Sequence, residues 1–192
     1  IKRTRFKIAK SETMNISELL NLGSKKLKLN NIKTHQLDSE LVLSSLLKEQ
    51  RENLLINLNR KVSENIIINF EKMIIRRANK EPLAYILKKK EFWSKNFFVD
   101  RSTLIPRPET ELLCENVIRL FKNKNINILD IGTGSGCILL SILAERSNSY
   151  GTGIDICKKS INVSKFNAKR LNLNNRVKFF HSSVDNFKIG KY

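Results

Sequence analysis

A chain of 192 residues with 41% hydrophobic residues can bury the core of one medium domain or of two small ones, which indicates a globular protein. Its longest apolar runs fall far short of the ~18 to 20 residues that a membrane span needs, so we expect no membrane partner. The 36 Lys and Arg against 18 Asp and Glu give a formal net charge of +18, which suits a nucleic-acid, acidic-protein or ribosome-associated partner. Because the lysines are dispersed, without an arginine-rich run or a basic patch interleaved with aromatics, we expect no specific nucleic-acid recognition.

Three cysteines, Cys114, Cys137 and Cys157, form an odd and widely spaced set without a C-x-x-C pair or neighbouring histidine ligands. We therefore expect no metal site. We interpret the three as reduced thiols of a cytoplasmic protein that act as small buried side chains.

The chain opens with a basic leader, residues 1–13, which lacks the apolar segment and the small-residue cleavage site of a secretory signal. The first methionine is Met14, where a natural protein could begin. We expect residues 1–13 to be an extraneous or disordered arm.

Helical spacing of apolar residues follows the leader and continues to about residue 80. Asn15 and Glu18 fit a capping box at the start of a first helix, since each side chain could accept from the other residue's backbone N–H. A second helix is predicted to start at Asp38, and a third to follow Ser63. We predict that residues 14–80 form a small helical bundle that recognises the substrate.

The helical pattern ends at Glu81-Pro82, because proline disfavours helical geometry in the residue before it. Aromatic and β-branched residues follow at 85–87 and, after a basic turn at 88–90, at 92–99, a composition typical of a β-hairpin. We predict that residues 81–108 form a β-hairpin linker between two domains.

From residue 109 onward, predicted helices and strands alternate, which is typical of a doubly wound parallel sheet. We predict that residues 109–192 are the N-terminal half of a Rossmann-like α/β domain. The predicted helices cover 110–122, 137–146 and 158–171, and the predicted strands cover 126–131, 150–156 and 176–181.

A glycine-rich loop lies between a predicted strand and a predicted helix, in the sequence Asp130-Ile-Gly-Thr-Gly-Ser-Gly136. Glycines let the backbone turn tightly and pass close to a ligand, and the helix that follows directs unpaired N–H groups at it. The alternative is that they are turn glycines only. Because Cys137 takes the place of the third glycine of a dinucleotide-binding fingerprint, the G-x-G-x-G spacing favours S-adenosylmethionine over NAD.

Two acidic residues accompany this loop. Asp130 places a carboxylate beside it, which suits a ligand with an ammonium group and would repel a pyrophosphate. Asp155 ends the next predicted strand, near the ~20-residue distance at which an acidic residue accepts hydrogen bonds from ribose hydroxyls. The loop and the two acids together predict a cofactor site.

Five segments of the chain strongly resemble the PrmC/HemK family, the N5-glutamine methyltransferases of peptide chain release factors. The resemblance covers nearly all of residues 15–192, and its most specific segment is Leu104–Glu111, which generic methyltransferases lack. The five segments are Glu81-Pro-Leu-Ala-Tyr-Ile, Glu91-Phe-Trp, Leu104-Ile-Pro-Arg-Pro-Glu-Thr-Glu111, Ile128-Leu-Asp-Ile-Gly-Thr-Gly-Ser-Gly136 and Gly153-Ile-Asp155.

The resemblance implies a helical N-terminal domain that helps to recognise the release factor, a hairpin linker, and a Rossmann-like catalytic domain that holds S-adenosylmethionine. The expected activity is transfer of a methyl group from S-adenosylmethionine to the side-chain amide nitrogen of a glutamine in a peptide chain release factor, in the cytoplasm. The cofactor-binding residues that the resemblance implies are Gly132, Thr133, Gly134, Ser135, Gly136 and Asp155.

The resemblance also implies an adenine contact and residues that border the substrate. Near the adenine the family usually has an acidic residue followed by an aromatic, whereas this chain has Ser183-Val184, so Val184 is the expected adenine contact and Asp185 an alternative. Bordering the substrate, the resemblance implies roles for residues of the specific segment, namely Arg107, Glu109 and Thr110. Their alternative role is a capped loop, in which Thr110 caps the next helix.

The family's Asn-Pro-Pro-Tyr motif, which receives the glutamine, does not occur up to Tyr192. An amide nitrogen is a poor nucleophile, so groups that orient it provide most of the catalysis. We therefore expect no catalytic residue within these residues and an inactive fragment of a longer enzyme. A methyltransferase of exocyclic amines in nucleic acid is the runner-up, which Leu104–Glu111 argues against, and a non-catalytic module that binds cofactor or a partner is a third alternative.

Overall fold

The chain divides into two compact units, which meet in sequence between Leu87 and Lys88. The computed structural model describes residues 14–188, so the predicted leader at 1–13 lies outside the described residues. Within the described range, no helix is both long enough and apolar enough to cross a membrane.

The first unit is all-helical, as predicted. Its first helix begins with the expected capping box, because the Asn15 side chain accepts from Glu18 N at 2.9 Å and the Glu18 carboxylate accepts from Asn15 N at 2.9 Å. The second helix begins three residues before the predicted start at Asp38, and a short third helix was not predicted. The five helices are α1 (Ile16–Leu29), α2 (His35–Leu47), α3 (Arg51–Ile56), α4 (Glu64–Ala78) and α5 (Leu83–Leu87).

The core of the first unit is apolar but includes the ion pair between Arg77 and Asp38. The periodicity of α4 places Arg77 on its apolar face, where a charge without a partner would be costly. In the structure, Arg77 Nε donates to Asp38 Oδ2 at 2.6 Å, and Arg77 Nη1 donates to the Glu81 carbonyl at 3.1 Å. The ion pair thus joins α2 to α4 inside the bundle. Around it are fully buried side chains of α1, α2, α3 and α4, among them Ile16, Leu27, Leu43, Leu54 and Ile74.

The helical pattern ends before Pro82 as predicted, since α4 ends at Ala78, but the prediction that residues 85–87 open the hairpin is wrong. Residues 83–87 form α5, and the Pro82 carbonyl accepts from Tyr85 N at 3.0 Å and from Ile86 N at 3.3 Å. Proline restricts the residue before it and lacks an N–H, and neither property opposes a helix that starts just after it. Pro82 therefore begins a new helix.

The hairpin forms farther along the chain than predicted, from β1 (Lys90–Phe92) and β2 (Lys95–Phe97) in antiparallel register. Its two turn residues, Trp93 and Ser94, both have a φ of 52°, the left-handed conformation of the favoured two-residue hairpin turn. Phe92 and Phe97 are buried in the core of the second unit. The strands of the hairpin therefore belong to the packing of that unit.

The second unit contains a three-stranded parallel sheet in the order β3-β4-β5, which confirms the predicted α/β class. A single 3₁₀ turn, Pro108–Thr110, leads into the first of its helices. The strands are β3 (Asn127–Ile131), β4 (Tyr150–Asp155) and β5 (Val177–His181), and the helices are α6 (Glu111–Leu120), α7 (Cys137–Glu145) and α8 (Lys158–Arg170).

The core of this unit lies against α7, whose Leu139, Leu140 and Leu143 are fully buried. Because α7 and α8 each connect two parallel strands, all three strands point the same way. Their carboxyl ends therefore meet at one edge of the sheet, where open α/β sheets bind ligands.

Candidate functional site

Three chain segments leave the sheet at this carboxyl edge. The strand register pairs Ile131 with Ile154 and Asp155 with His181, so the ends of β3, β4 and β5 are level. The glycine loop follows β3, Asp155 ends β4, and the segment to Val184 follows β5. The structure therefore brings the predicted cofactor residues to one edge.

The glycine loop has a backbone that side-chain-bearing residues rarely adopt. Gly134 has a φ of +55°, and a Cβ there would meet only the Gly132 carbonyl oxygen, at 3.9 Å, so the space beside it is open. Gly136 has a φ of +78°, and a Cβ there would lie 3.0 Å from Leu140 and 3.3 Å from Ser164. Gly136 thus serves the packing of the loop, whereas Gly134 leaves room for a ligand.

Backbone hydrogen bonds fix this loop onto β4. The Ile154 carbonyl accepts from Gly132 N at 2.8 Å and from Thr133 N at 3.0 Å, and the Thr133 carbonyl accepts from Gly136 N at 2.8 Å. Thr133 itself is buried. The loop is therefore held in shape before a ligand arrives, which lowers the entropic cost of binding.

The Asp155 carboxylate also binds two backbone N–H groups, which its position in the sequence does not indicate. Its Oδ2 accepts from Gly134 N at 2.9 Å, and its Oδ1 accepts from Cys157 N at 2.8 Å. The carboxylate thus ties the glycine loop to the start of α8. Since each carboxylate oxygen has two lone pairs, Asp155 retains the capacity to accept from ligand hydroxyls.

Asp130 presents a second carboxylate, half-buried at the end of β3, whose Oδ2 accepts from Thr133 Oγ1 at 2.8 Å. Burial raises the pKa of the Asp130 carboxyl, and the charge of Asp155 adds to that rise, while the Thr133 hydrogen bond opposes it. A carboxylate that is partly removed from solvent and lies near a second negative charge is stabilised by a bound cation. Asp130 therefore fits the ammonium group of a ligand.

Two exposed apolar side chains lie at the same edge. Val184, predicted as an adenine contact, is 53% exposed after β5, and Ile156, directly after Asp155, is 76% exposed. Their segments are joined because Ser182 N donates to the Asp155 carbonyl at 3.1 Å and the His181 ring nitrogen Nε2 lies 2.9 Å from the Ile156 carbonyl. Ile156 was missed by the sequence analysis, although an apolar residue directly after Asp155, the acid predicted to bind ribose, was a usable signal.

The predicted substrate residues occupy the segment before α6. Arg107 and Glu109 are exposed, Thr110 is half-buried, and Thr110 makes no capping hydrogen bond with its side chain. The alternative role of Thr110 as a helix cap is therefore wrong. Glu111 ties α6 to the hairpin, because its Oε1 accepts from Trp93 N at 2.8 Å.

Asn167 is a second residue that the sequence analysis missed. Only 1% exposed on α8, it donates from Nδ2 to the Ser135 carbonyl and to the Phe98 carbonyl, each at 2.9 Å, and its Oδ1 accepts from Phe98 N at 2.8 Å. One amide thus joins α8, the glycine loop and the segment after β2. An asparagine at a buried position of an amphipathic helix was the available signal.

Two of the three cysteines are buried, as predicted for all three. Cys114 and Cys137 are buried, Cys157 is half-buried, and all three are free thiols. Burial raises the pKa of the Cys114 thiol to about 12 and that of Cys137 to about 11. Both thiols therefore stay protonated and unreactive near neutral pH.

Comparison with known proteins matches the two units to two family models. Residues 18–87 match the PrmC N-terminal domain, and residues 122–190 match a methyltransferase domain. A protein named release factor glutamine methyltransferase, from Buchnera aphidicola subsp. Baizongia pistaciae, is 42% identical over 178 residues, which cover 90% of this chain and 64% of that protein. A protein named bifunctional methyltransferase, from Rickettsia typhi, is 36% identical over 88% of this chain and 36% of that protein.

Among solved structures, an RNA methyltransferase from Salinibacter ruber in complex with S-adenosyl-L-homocysteine overlaps 44% of this chain and 54% of that chain, with 21% identity and a TM-score of 0.39. This overlap is partial, and the assignment rests on the family models and the curated relatives. The chain therefore carries a methyltransferase domain behind a helical domain. The matches to a PrmC N-terminal domain and to a methyltransferase domain confirm the resemblance, and the chain spans less than two thirds of the length of the two relatives above.

Asn167→Ala should lower the free energy of unfolding by about 2 to 3 kcal/mol, because three hydrogen bonds are lost and their backbone partners remain poorly solvated. Chemical denaturation of the chain measures this change. Asn174→Ala is the matched control, since Asn174 is exposed and bonds only its neighbour Asn175, and it should change stability by less than about 0.5 kcal/mol. Equal losses in the two variants would contradict the role given to Asn167.

Asp130→Asn should make the chain more stable at neutral pH, because it keeps an acceptor for Thr133 and removes a desolvated charge. The folded-state pKa of Asp130 is raised, so the parent gains stability as it takes up a proton on acidification. The advantage of the variant should therefore shrink as the pH falls through that raised pKa towards the ordinary value of 3.8. Chemical denaturation at neutral pH and near pH 3.8 measures the difference in the free energy of unfolding between variant and parent. The exposed Asp185→Asn serves as control. A variant that is less stable than the parent at neutral pH would refute the unfavourable charge of Asp130.

Proposed function

We propose that the second unit binds S-adenosylmethionine at the carboxyl edge of its sheet, and that the whole protein methylates a glutamine side-chain amide of a peptide chain release factor. The observation that carries the first part is the 2.9 Å hydrogen bond from Gly134 N to the Asp155 carboxylate, with open space beside Gly134. The second part is supported by the PrmC N-terminal domain and by the names of the relatives.

Each part of the cofactor has a chemically suitable group at the edge. The methionine ammonium suits the half-buried carboxylate of Asp130, beside Thr133 and Ser135 of the loop. The ribose diol suits Asp155, whose oxygens have acceptor capacity left. The adenine suits the exposed apolar side chains of Ile156 and Val184, which would be covered by a flat ring. When bound, the cofactor supplies an electrophilic methyl group on a sulfonium.

The same edge disfavours a dinucleotide. Two carboxylates lie at the glycine loop, since Asp130 accepts from the Thr133 hydroxyl and Asp155 accepts from the backbone N–H of Gly134. In a pyrophosphate site, loop N–H groups are free to bind phosphate oxygens, and nearby carboxylates repel them. A cationic cofactor is therefore the better fit to these charges.

The substrate assignment also concerns the loop before α6. We propose that Arg107, Glu109 and Thr110 border the entry of the glutamine side chain, since Arg107 and Glu109 are exposed and available to a partner. A flexible peptide amide has to be immobilised before its nitrogen can attack a methyl group, and positioning of this kind accounts for much of the rate. Because release factors act in translation, we propose a cytoplasmic location, with contact to the ribosome only through that substrate.

Gly134→Val should abolish binding of S-adenosylmethionine, because a φ of +55° strains valine and its side chain would fill the open space. Asp155→Ala should weaken binding by at least about 1.5 to 3 kcal/mol, the range for hydrogen bonds to a charged group, because it also removes the acceptor that holds Gly134 N. Isothermal titration calorimetry measures both. The exposed Lys72→Ala in the first unit serves as control and should bind like the parent. An undiminished affinity of the Gly134→Val variant for S-adenosylmethionine would refute the proposed cofactor site.

For the activity, tritiated S-adenosylmethionine and a release factor should be incubated with the whole protein that contains this chain, and the label located by peptide mass analysis. We expect label on one glutamine side chain. The Gly134→Val variant of the whole protein is the matched control and should transfer none. Label found only in nucleic acid, and never on glutamine, would refute the proposal in favour of an enzyme that methylates nucleic-acid amines.

A further inference from the structure

The exposed side of α8 carries only basic, amide and aromatic side chains. An α-helix repeats every 3.6 residues, so residues three, four and seven positions apart lie on one side of it. The exposed residues of α8, which together form the α8 face, are Lys158, Lys159, Asn162, Lys165, Phe166, Lys169 and Arg170. Lysines that are dispersed in the sequence are therefore gathered on one surface by the helix. None of them is among the proposed cofactor contacts.

The charges of the α8 face form a row along the helix. Lys158, Lys165 and Lys169 lie within a sector of about 40° around the helix axis, and they extend over about 16 Å of its length. A second row, turned by about 100° from the first, contains Phe166 and Arg170. A linear ligand that follows the helix would therefore meet cations on one side and an aromatic ring on the other.

Phe166 is an exposed aromatic ring whose position is fixed by its neighbours. Its ring meets that of Phe98 edge-on, with centroids 5.2 Å apart and an interplanar angle of 71°. The guanidinium carbon of Arg170 lies 5.8 Å from the Phe166 centroid. Phe166 is nevertheless 49% exposed. A fixed ring beside a planar cation is a surface on which a second flat ring can stack.

None of the five cations of the α8 face takes part in an ion pair within the described part of the chain. Two acids lie near the start of the helix. Asp155 accepts from Cys157 N at 2.8 Å, while Asp100 accepts from Ser102 N, and the Ser102 carbonyl accepts from Ser160 Oγ. Both acids already accept from backbone N–H groups, so most of the positive charge has no counterpart. Such a surface attracts a polyanion.

The α8 face is also unsuited to burial under further protein. A lysine or arginine that is covered loses its hydration, and this is costly unless an acid pairs with it. Five cations within the 13 residues of α8 would need a matching set of acids in whatever segment covered them. We therefore expect the face to stay in contact with solvent in the whole protein.

We propose that the α8 face binds single-stranded nucleic acid without sequence preference, with its lysines on phosphates and a base stacked on Phe166. Lysine binds phosphate as a point charge, and every base has a flat face, so this recognition requires no particular sequence. An acidic polypeptide matches the charge, but its carboxylates offer nothing to the Phe166 ring. A duplex keeps its bases stacked inside, which also leaves the ring without a partner. Only a single strand satisfies both rows.

The test uses the whole protein that contains this chain, without cofactor, and a fluorescent oligothymidine of about twelve nucleotides. Fluorescence anisotropy measures binding across a range of salt. Lys165→Gln with Lys169→Gln should weaken binding about tenfold or more at low salt, and should flatten the slope of log affinity against log salt by about 1.4, or 0.7 for each lost phosphate contact.

The matched control removes the same amount of charge from the first unit. Lys33→Gln with Lys72→Gln neutralises two exposed lysines there, so its affinity should stay within about twofold of the parent and its slope should not change. Circular dichroism verifies that each variant is folded. Equal losses in the two double variants would overturn the proposal, because net charge alone would then explain the binding. The absence of oligothymidine binding by the parent would overturn it as well.

An abasic strand with the same number of phosphates separates stacking from charge attraction. The parent should bind it about fivefold or more weakly than oligothymidine, since stacking of a base on an aromatic side chain is lost. Phe166→Leu, which keeps an apolar contact with Phe98, should lower the affinity for oligothymidine by a similar factor and leave that for the abasic strand unchanged. Equal binding of the two strands by the parent would overturn the stacking role. An oligoglutamate peptide that binds more tightly than oligothymidine, and loses affinity in the Lys165 and Lys169 variant, would overturn the proposal in favour of an acidic protein partner.

Discussion

The second unit depends on one carboxylate, that of Asp155. It accepts from Gly134 N in the loop after β3 and from Cys157 N at the start of α8. Without it, the glycine loop and the start of α8 would lose the hydrogen-bond acceptor that they share at the carboxyl edge. The same group is the one that a ribose would need, so the anchor of the fold and the proposed cofactor contact are a single residue. This coupling means that binding and local stability cannot be varied independently at Asp155.

Around this anchor, polar groups held by hydrogen bonds shape the site. Asn167 fixes the Ser135 carbonyl from below, and the Ile154 carbonyl holds the loop at Gly132 and Thr133. Asp130 is left half-buried beside a second negative charge, a condition that favours a cation. A loop that is held by hydrogen bonds and has uncompensated negative charge at one end is suited to binding a cation, because little ordering has to occur when the ligand arrives.

The carboxyl edge of the parallel sheet gathers loops and carboxylates, as the direction of parallel strands requires. The proposed cofactor, a small cationic molecule, suits the charge of this edge. The α8 helix contributes to the edge, since the Cys157 N–H at its start donates to Asp155.

Local sequence by itself determined most of the elements and the cofactor loop. The capping box at Asn15, the alternation after residue 109 and the glycine loop all depend on residues close together in the chain, so spacing and residue type suffice to predict them. The helix after Pro82 was wrongly predicted, because the rule for the residue before proline says nothing about the residues after it. Tertiary structure alone decided the partners of Asn167, Asp38 and Glu111, because each contacts a segment at least 18 residues away. It also decided the strand order β3-β4-β5, since strand order follows from how helices pack onto the sheet and leaves no mark in the strands' own sequences.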